Sequence, residues 1–375
     1  MSGSAFKRVS ALLIAAAVLL ISGCVTAPDG EKTSRQENAS SAAVSDAESK
    51  LPEDNSVPEP SAPEETTSEI SEPEIAKYEF DPHLYVPLLA EDIPADYWEA
   101  FYNLCDALRN GESSFACKSE EAYNWATSPA TLNELFPAAC TKITGKSGDG
   151  TKSFENGTGR IYYLIPTDEY VERQAKFEAF VENVLNTCLE PDDGDFEKCL
   201  KLYDYLESNY SYDYDFAEEM PDGANYLTMM TGKGECIELS GVYAYFLLQA
   251  GVEAFGVGCT NDKIAHAWNY LVIDGTGYFS DPTWALKSES GRDELDLYYF
   301  LMDGTRRSES GCDVGDDMTA PLLPRYWFSS SNTRISADSD EFCFPSGAAL
   351  VSLDEGSKTV HYLSEATEYE LSYAE

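Results

Sequence analysis

The chain has 375 residues, 43% of them hydrophobic and 12% aromatic, and carries a formal net charge of −42. That length holds one or two domains with a substantial core, and the composition fits a globular body over most of it. So acidic a chain makes nucleic acid and anionic lipid headgroups poor partners; three histidines and no Cys-x-x-Cys pair leave little room for a metal site, and no cofactor is expected.

Met1 to Cys24 reads as a targeting segment. Lys7 and Arg8 give a positive start, Ala11 to Ile21 is apolar but short for a membrane span, and Ile21-Ser22-Gly23-Cys24 resembles the bacterial lipobox. That resemblance implies a signal peptide over 1–24, acylation of Cys24, and lipid anchoring at the extracellular face of the cell membrane. Residues 25–77 then read as a tether. They are rich in Ser, Ala, Pro and Glu, lack aromatic residues, and set thirteen acidic against four basic side chains, so the segment repels itself and extends.

Order is expected from Tyr78, with residues 78–194 forming a mostly helical extension. Asp96 suits the start of a helix through Trp98, Phe101, Leu104, Cys105 and Leu108, ended by Asn110-Gly111. A short strand at Phe115–Lys118, a helix from Ser119 to Thr127, another around Thr131–Leu135 and a buried strand at Arg160–Ile165 follow. Asp168 starts a longer helix with Val171, Phe177, Phe180, Val184 and Cys188 near one face. Gly145-Lys146-Ser147 lacks the earlier glycine of a P-loop, and Asp192, Asp193 and Asp195 lack the spacing of a calcium loop, which leaves a solvated turn. Asp195 caps a further helix through Leu206, and Tyr210 to Tyr214 is an aromatic stretch.

Gly232 to Trp284 is the chemically informative region. Gly232-Lys233-Gly234-Glu235-Cys236 passes directly into an apolar helical pattern, Ile237 to Gln249, closed by Gly251. A cysteine at a helix N-terminus feels the positive end of the helix dipole, which favours the thiolate, and its backbone N–H is one of the helix's orphan donors. Val252–Val257 reads as a strand; His266-Ala267-Trp268-Asn269 opens another through Ile273, turned back by Asp274-Gly275-Thr276-Gly277 into a strand ending Asp281-Pro282-Thr283-Trp284. Neighbouring antiparallel strands can set His266 beside Asp281, which would fix the imidazole tautomer. Taken singly, Cys236 also fits a buried or disulfide-bonded cysteine and His266 a structural one.

Together Gly-Lys-Gly-Glu-Cys, Leu248-Gln249-Ala250-Gly251-Val252, His266-Ala267-Trp268-Asn269 and Asp281-Pro282-Thr283-Trp284 resemble the transglutaminase-like core. The resemblance spans about residues 195–290, within a core domain expected over 195–300. It implies an α+β fold with a papain-like core, in which a nucleophile helix packs on an antiparallel sheet. Cys236 then matches the nucleophile, His266 the base and Asp281 the orienting acid. Tyr212 and Trp268 are candidates for oxyanion or substrate contacts. One departure bears on substrate choice: many bacterial members have Gln and an aromatic residue soon after the cysteine, where this chain has Ile237, Glu238 and Leu239. The expected activity is cysteine acyl transfer on a protein or peptide substrate, cell-wall peptide included, through a thioester, with hydrolysis favoured over transamidation. The other reading is a non-catalytic cell-surface binding module.

After Trp284, and through the C-terminal region 301–375, the pattern is weaker. Leu295–Met302 suggests a strand, Asp303–Leu323 a surface loop, and Leu350–Leu353 with Lys358–Leu363 a β-hairpin carrying a structural His361. Setting aside Cys24 and Cys236 leaves Cys105, Cys117, Cys140, Cys188, Cys199, Cys259, Cys312 and Cys343. Outside the cytoplasm these could form four disulfides, with Cys105–Cys117, Cys188–Cys199 and Cys312–Cys343 as local pairs, or remain buried thiols.

Overall fold

The computed structural model describes residues 77–148, 150–215, 224–260, 265–287, 294–309, 320, 322 and 335–374. The targeting segment with Cys24, the tether up to residue 76, and Cys312 lie outside these residues.

Helix α1 (Ala95–Arg109) buries Trp98, Phe101, Leu104, Cys105 and Leu108, the apolar stripe of the sequence. Strand β1 (Ser114–Ala116) leads to α2 (Glu120–Ala126) and α3 (Pro129–Leu135), whose N-caps are the hydroxyls of Ser119 and Ser128. Short strands β2 (Ile143–Thr144), β3 (Phe154–Glu155), β4 (Thr158–Arg160) and β5 (Tyr162–Tyr163) pair antiparallel, as β1-β4-β3 and β2-β5. Thus Arg160–Ile165 is two short strands rather than one. Helix α4 (Thr167–Cys188) lies against α1, pinned by the Arg109 guanidinium on Glu178 at 2.8 and 3.0 Å.

Helix α5 (Asp195–Asn209) runs into β6 (Ser211–Tyr212), and α6 (Ala224–Thr231) into β7 (Lys233–Gly234), which pairs parallel with β6. Next comes α7 (Cys236–Gln249), buried along its whole length except at Ile237 and Leu248. A helix apolar on every side belongs at the centre of a core. Leu239, Val242, Tyr243, Phe246 and Leu247 are fully enclosed, each contributing about 1.5–3 kcal/mol. Gly251, at φ +83°, ends α7: its N–H donates to the Leu248 carbonyl and that of Val252 to Leu247. Strands β8 (Ala254–Thr260), β9 (Ala265–Ile273) and β10 (Thr276–Ser280) form an antiparallel sheet in the order β10-β9-β8, and α7 packs on β8 and β9. The fold is mixed helix and antiparallel sheet, with a central helix laid on the sheet.

Several expectations are corrected. Asp193 is not in a solvated turn: it is buried, accepts from the Glu190 N–H at 2.8 Å and pairs with Lys201 at 2.6 Å. Leu295–Met302 forms no strand. Its apolar residues are buried in an irregular segment that borders β10, with Met302 and Phe279 exchanging backbone hydrogen bonds. The supposed loop after Asp303 contains a helix, and beyond it the hairpin is a three-stranded meander, β11 (Ala349–Asp354), β12 (Thr359–Ser364) and β13 (Thr367–Ser372). The third strand was hidden because Thr367–Ser372 is largely exposed and gives little apolar alternation. Tyr373 then stacks on Phe196 at 4.4 Å and donates to Glu197, tying the tail to α5. The eight described cysteines are separate thiols, so neither Cys105–Cys117 nor Cys188–Cys199 is bridged. Cys117, Cys140 and Cys343 instead donate to backbone carbonyls, and Cys105 and Cys199 are fully enclosed in the core.

Candidate active site

Cys236 is the first residue of α7. After the Gly251 turn, β8 runs back along the helix. Fourteen helical residues rise about 21 Å and seven strand residues about 23 Å, so the end of β8 is level with the start of α7. At that end Cys259 pairs with His266. A hydrogen bond from Asn269 Nδ2 to the Ser240 carbonyl, 2.8 Å, fixes the same alignment from β9. One turn back from Ser240 is Cys236, and three residues back from Asn269 is His266. Both are enclosed, at 1% and 4% exposure.

His266 Nε2 and Asp281 Oδ2 are 2.7 Å apart. The ladder does not put them directly opposite, because Ser280 pairs with Asn269 and the pairing stops there. Asp281 instead follows β10 as the N-cap of a single-turn helix, α8 (Pro282–Ala285), and its Oδ1 accepts from the Trp284 N–H at 3.2 Å. Its own N–H donates to the Tyr299 carbonyl, and its carbonyl accepts from the Tyr203 hydroxyl at 3.2 Å. With Nε2 committed to the carboxylate, Nδ1 is the imidazole atom that can exchange a proton with a thiol.

The sequence reading missed Arg307. It lies on α9 (Gly304–Glu309), is fully enclosed, and donates from Nη1 to Asp281 Oδ2 at 2.7 Å. Its guanidinium sits 4.4 Å from the Trp268 ring and 4.7 Å from Trp284, while Trp284 stacks on His266 at 4.4 Å and 8°. A polar, Gly-containing run reads as surface; the available signal was two tryptophans flanking the histidine and aspartate, a favoured seat for a guanidinium. Burial alone would push the Asp281 carboxyl up, but the charges and hydrogen bonds of His266 and Arg307 outweigh it and hold it below its ordinary range.

Tyr212 pairs with Gly234 across the parallel β6–β7 ladder, two residues before Cys236, which puts it beside the helix start. Trp268 is buried, as Cys236 and His266 are, with the Arg307 guanidinium against its ring. Glu238, in the first turn of α7, accepts from the Glu235 N–H at 3.1 Å. Burial, reinforced by Glu235 and Glu134 and only partly offset by backbone hydrogen bonds, pushes its carboxyl up to about 7. Glu207, one turn beyond Tyr203 on α5, is enclosed with neither carboxyl oxygen hydrogen-bonded among the described residues, and burial together with the Asp281 charge pushes it well above the ordinary range. His361 is half-buried on β12 between Glu368 and Glu370, remote in the chain from these residues. Among the described residues no group of three or more His, Cys, Asp and Glu side chains is placed to hold a metal ion, and no helix is long and apolar enough to cross a membrane.

Residues 182–282 match the core domain of the transglutaminase-like superfamily. No curated protein matches the chain. Among solved structures, the chain is similar to a candidate cysteine protease from Cytophaga hutchinsonii, at 16% identity over 29% of this chain and 37% of that one, with a TM-score of 0.24. It is also similar to a candidate protease from Parabacteroides distasonis, at 13% identity over 36% of this chain and 31% of that one, with a TM-score of 0.23. The chain thus spans about a third of the length of each of these structures.

Proposed function

We propose, from the match of residues 182–282 to the transglutaminase-like core, that the protein cleaves amide bonds of a protein or peptide through a Cys236 thioester. The observation that carries this reading is the buried His266–Asp281 pair at 2.7 Å, at the same end of the sheet as the N-terminus of α7 and Cys236. Proton transfer from Cys236 Sγ to His266 Nδ1 gives a thiolate–imidazolium pair, favoured by the helix dipole. The thiolate attacks the amide carbonyl, and the Cys236 N–H, in the first turn of the helix, lies on the side from which a donor would meet the oxyanion. His266 then protonates the leaving amine as the C–N bond breaks. Water, losing its proton to His266, attacks the thioester; the C–S bond breaks and the thiol is restored. Tyr212 is a candidate for contact with the substrate or the oxyanion. Acylation of Cys24 would hold this activity at the extracellular face of the membrane, with residues 25–77 as the spacer.

A binding module that uses the same cleft is the second reading, favoured by the low exposure of Cys236 and His266. The test incubates the chain with Gln- and Asn-containing peptides, with and without a labelled primary amine, using Cys236→Ala as the blank. Peptide or amide hydrolysis that the variant lacks supports the proposal. Amine incorporation in excess of hydrolysis would make the protein a transamidase, and no turnover by either route favours the binding module.

A further inference from the structure

Asp281 Oδ2 serves two donors at once, His266 Nε2 and Arg307 Nη1, each at 2.7 Å, and Oδ1 is held by the Trp284 N–H. The carboxylate therefore cannot turn without breaking a hydrogen bond. Nor can the guanidinium withdraw, since it lies against Trp268 and Trp284. Resting on the catalytic reading above, we infer that Arg307 is a positioning residue that makes Asp281 an orienter of no net charge, fixing His266 while stabilising its imidazolium less than a lone carboxylate would.

The surroundings bear on this inference through the charged and titratable groups that face Asp281 among the described residues. From α5, Glu207 and Tyr203 face it; burial, then neighbouring negative charge, pushes both well above their ordinary values. From the segment bordering β10, Tyr299 is pushed up to about 12 by burial and then by Asp281. Lys287, Asp296 and Asp204 act on Glu207, Cys259 faces His266 across the ladder, and Cys236 is the thiol itself. Asp281 and Arg307 are thus a compensated pair at the centre of the site. A lone buried aspartate would draw a proton onto His266 and raise the proton affinity of the thiol as well, shifting the thiolate–imidazolium window to higher pH. The neutral pair keeps the orientation and leaves that window lower.

The test uses the full chain and iodoacetamide, with the alkylation rate at Cys236 followed by peptide mapping as a function of pH. The variants are Arg307→Gln, Arg307→Met, which keeps bulk between the two rings, and Arg307→Lys. Loss of the positive charge should move both the acidic and the alkaline limb of the profile to higher pH. At a pH on the wild-type acidic limb the rate should fall about tenfold, the equivalent of one unit. Arg307→Lys should keep both limbs at their wild-type positions. A neutral variant whose limbs do not move, or whose rate drops equally at every pH, would reduce Arg307 to a structural residue. If both neutral variants lose their fold by circular dichroism, Arg307→Lys decides: unmoved limbs support the inference and displaced limbs overturn it. A wild-type Cys236 no more reactive than in the denatured chain would sink the catalytic reading itself, a different result from any of these.

Discussion

Glu238 is a carboxyl that the fold obliges to hold its proton, and replacing it should make the protein more stable in alkali. The side chain is 7% exposed, and its carboxyl is pushed from 4.5 up to about 7. The sign follows from linkage. The folded chain binds this proton more tightly than the unfolded chain, so the contribution is fully present below the unfolded value and is lost as pH rises through the folded one. A displacement of that size corresponds to about 3 kcal/mol at 1.36 kcal/mol per unit. Glu238→Gln keeps an oxygen to accept the Glu235 N–H and cannot ionise. Urea unfolding of both proteins should give similar stabilities below the unfolded carboxylate range and a gap near 3 kcal/mol in favour of Gln above the folded value. A difference that stays constant with pH would mean that burial does not hold the proton on Glu238. Because Glu238 lies two residues beyond Cys236, the substitution also removes a negative charge that would otherwise appear near the thiol as pH passes neutrality.

Asp281→Asn should cost about 3–5 kcal/mol, since it removes the carboxylate of a fully buried ion pair; a loss below about 1 kcal/mol would mean that the pair is solvated. Tyr212→Ala should lower peptide turnover without changing Cys236 alkylation, and equal losses in both assays would assign the ring to packing. Cys24→Ala should move the protein out of the membrane fraction; detergent-dependent membrane association that persists in this variant would contradict lipid anchoring. Deleting residues 25–76 should leave turnover on soluble peptides intact, and a large loss of activity would give the tether a role at the site.

What the sequence disclosed follows from where its signals were local. The helix that starts at Cys236 and stops at Gly251 was legible because a glycine-flanked start, an unbroken apolar run and an αL glycine are properties of consecutive residues. The β9–β10 hairpin was legible because Asp274 and Gly275 both take positive φ in a two-residue turn. What sequence spacing could not supply was the route from His266 to Asp281. The ladder ends at Ser280, and the aspartate reaches the histidine as a helix cap. Arg307 was invisible for a related reason. Nothing in Gly304–Glu309 departs from a surface pattern, and the burial of its guanidinium is imposed by two tryptophans and a carboxylate from elsewhere in the chain. Asp193 repeats the lesson on a smaller scale, since its partner Lys201 lies two helical turns away.

Whether His266 activates Cys236 is read from the alkylation of Cys236 in the wild type and in His266→Ala at mildly acidic pH. A free thiol with a pKa near 8.5 is almost wholly protonated there and alkylates slowly. Wild-type Cys236 should be labelled well ahead of the other cysteines, and His266→Ala should reduce this to the rate of an ordinary buried thiol. Equal labelling of Cys236 in the two proteins would contradict activation by His266.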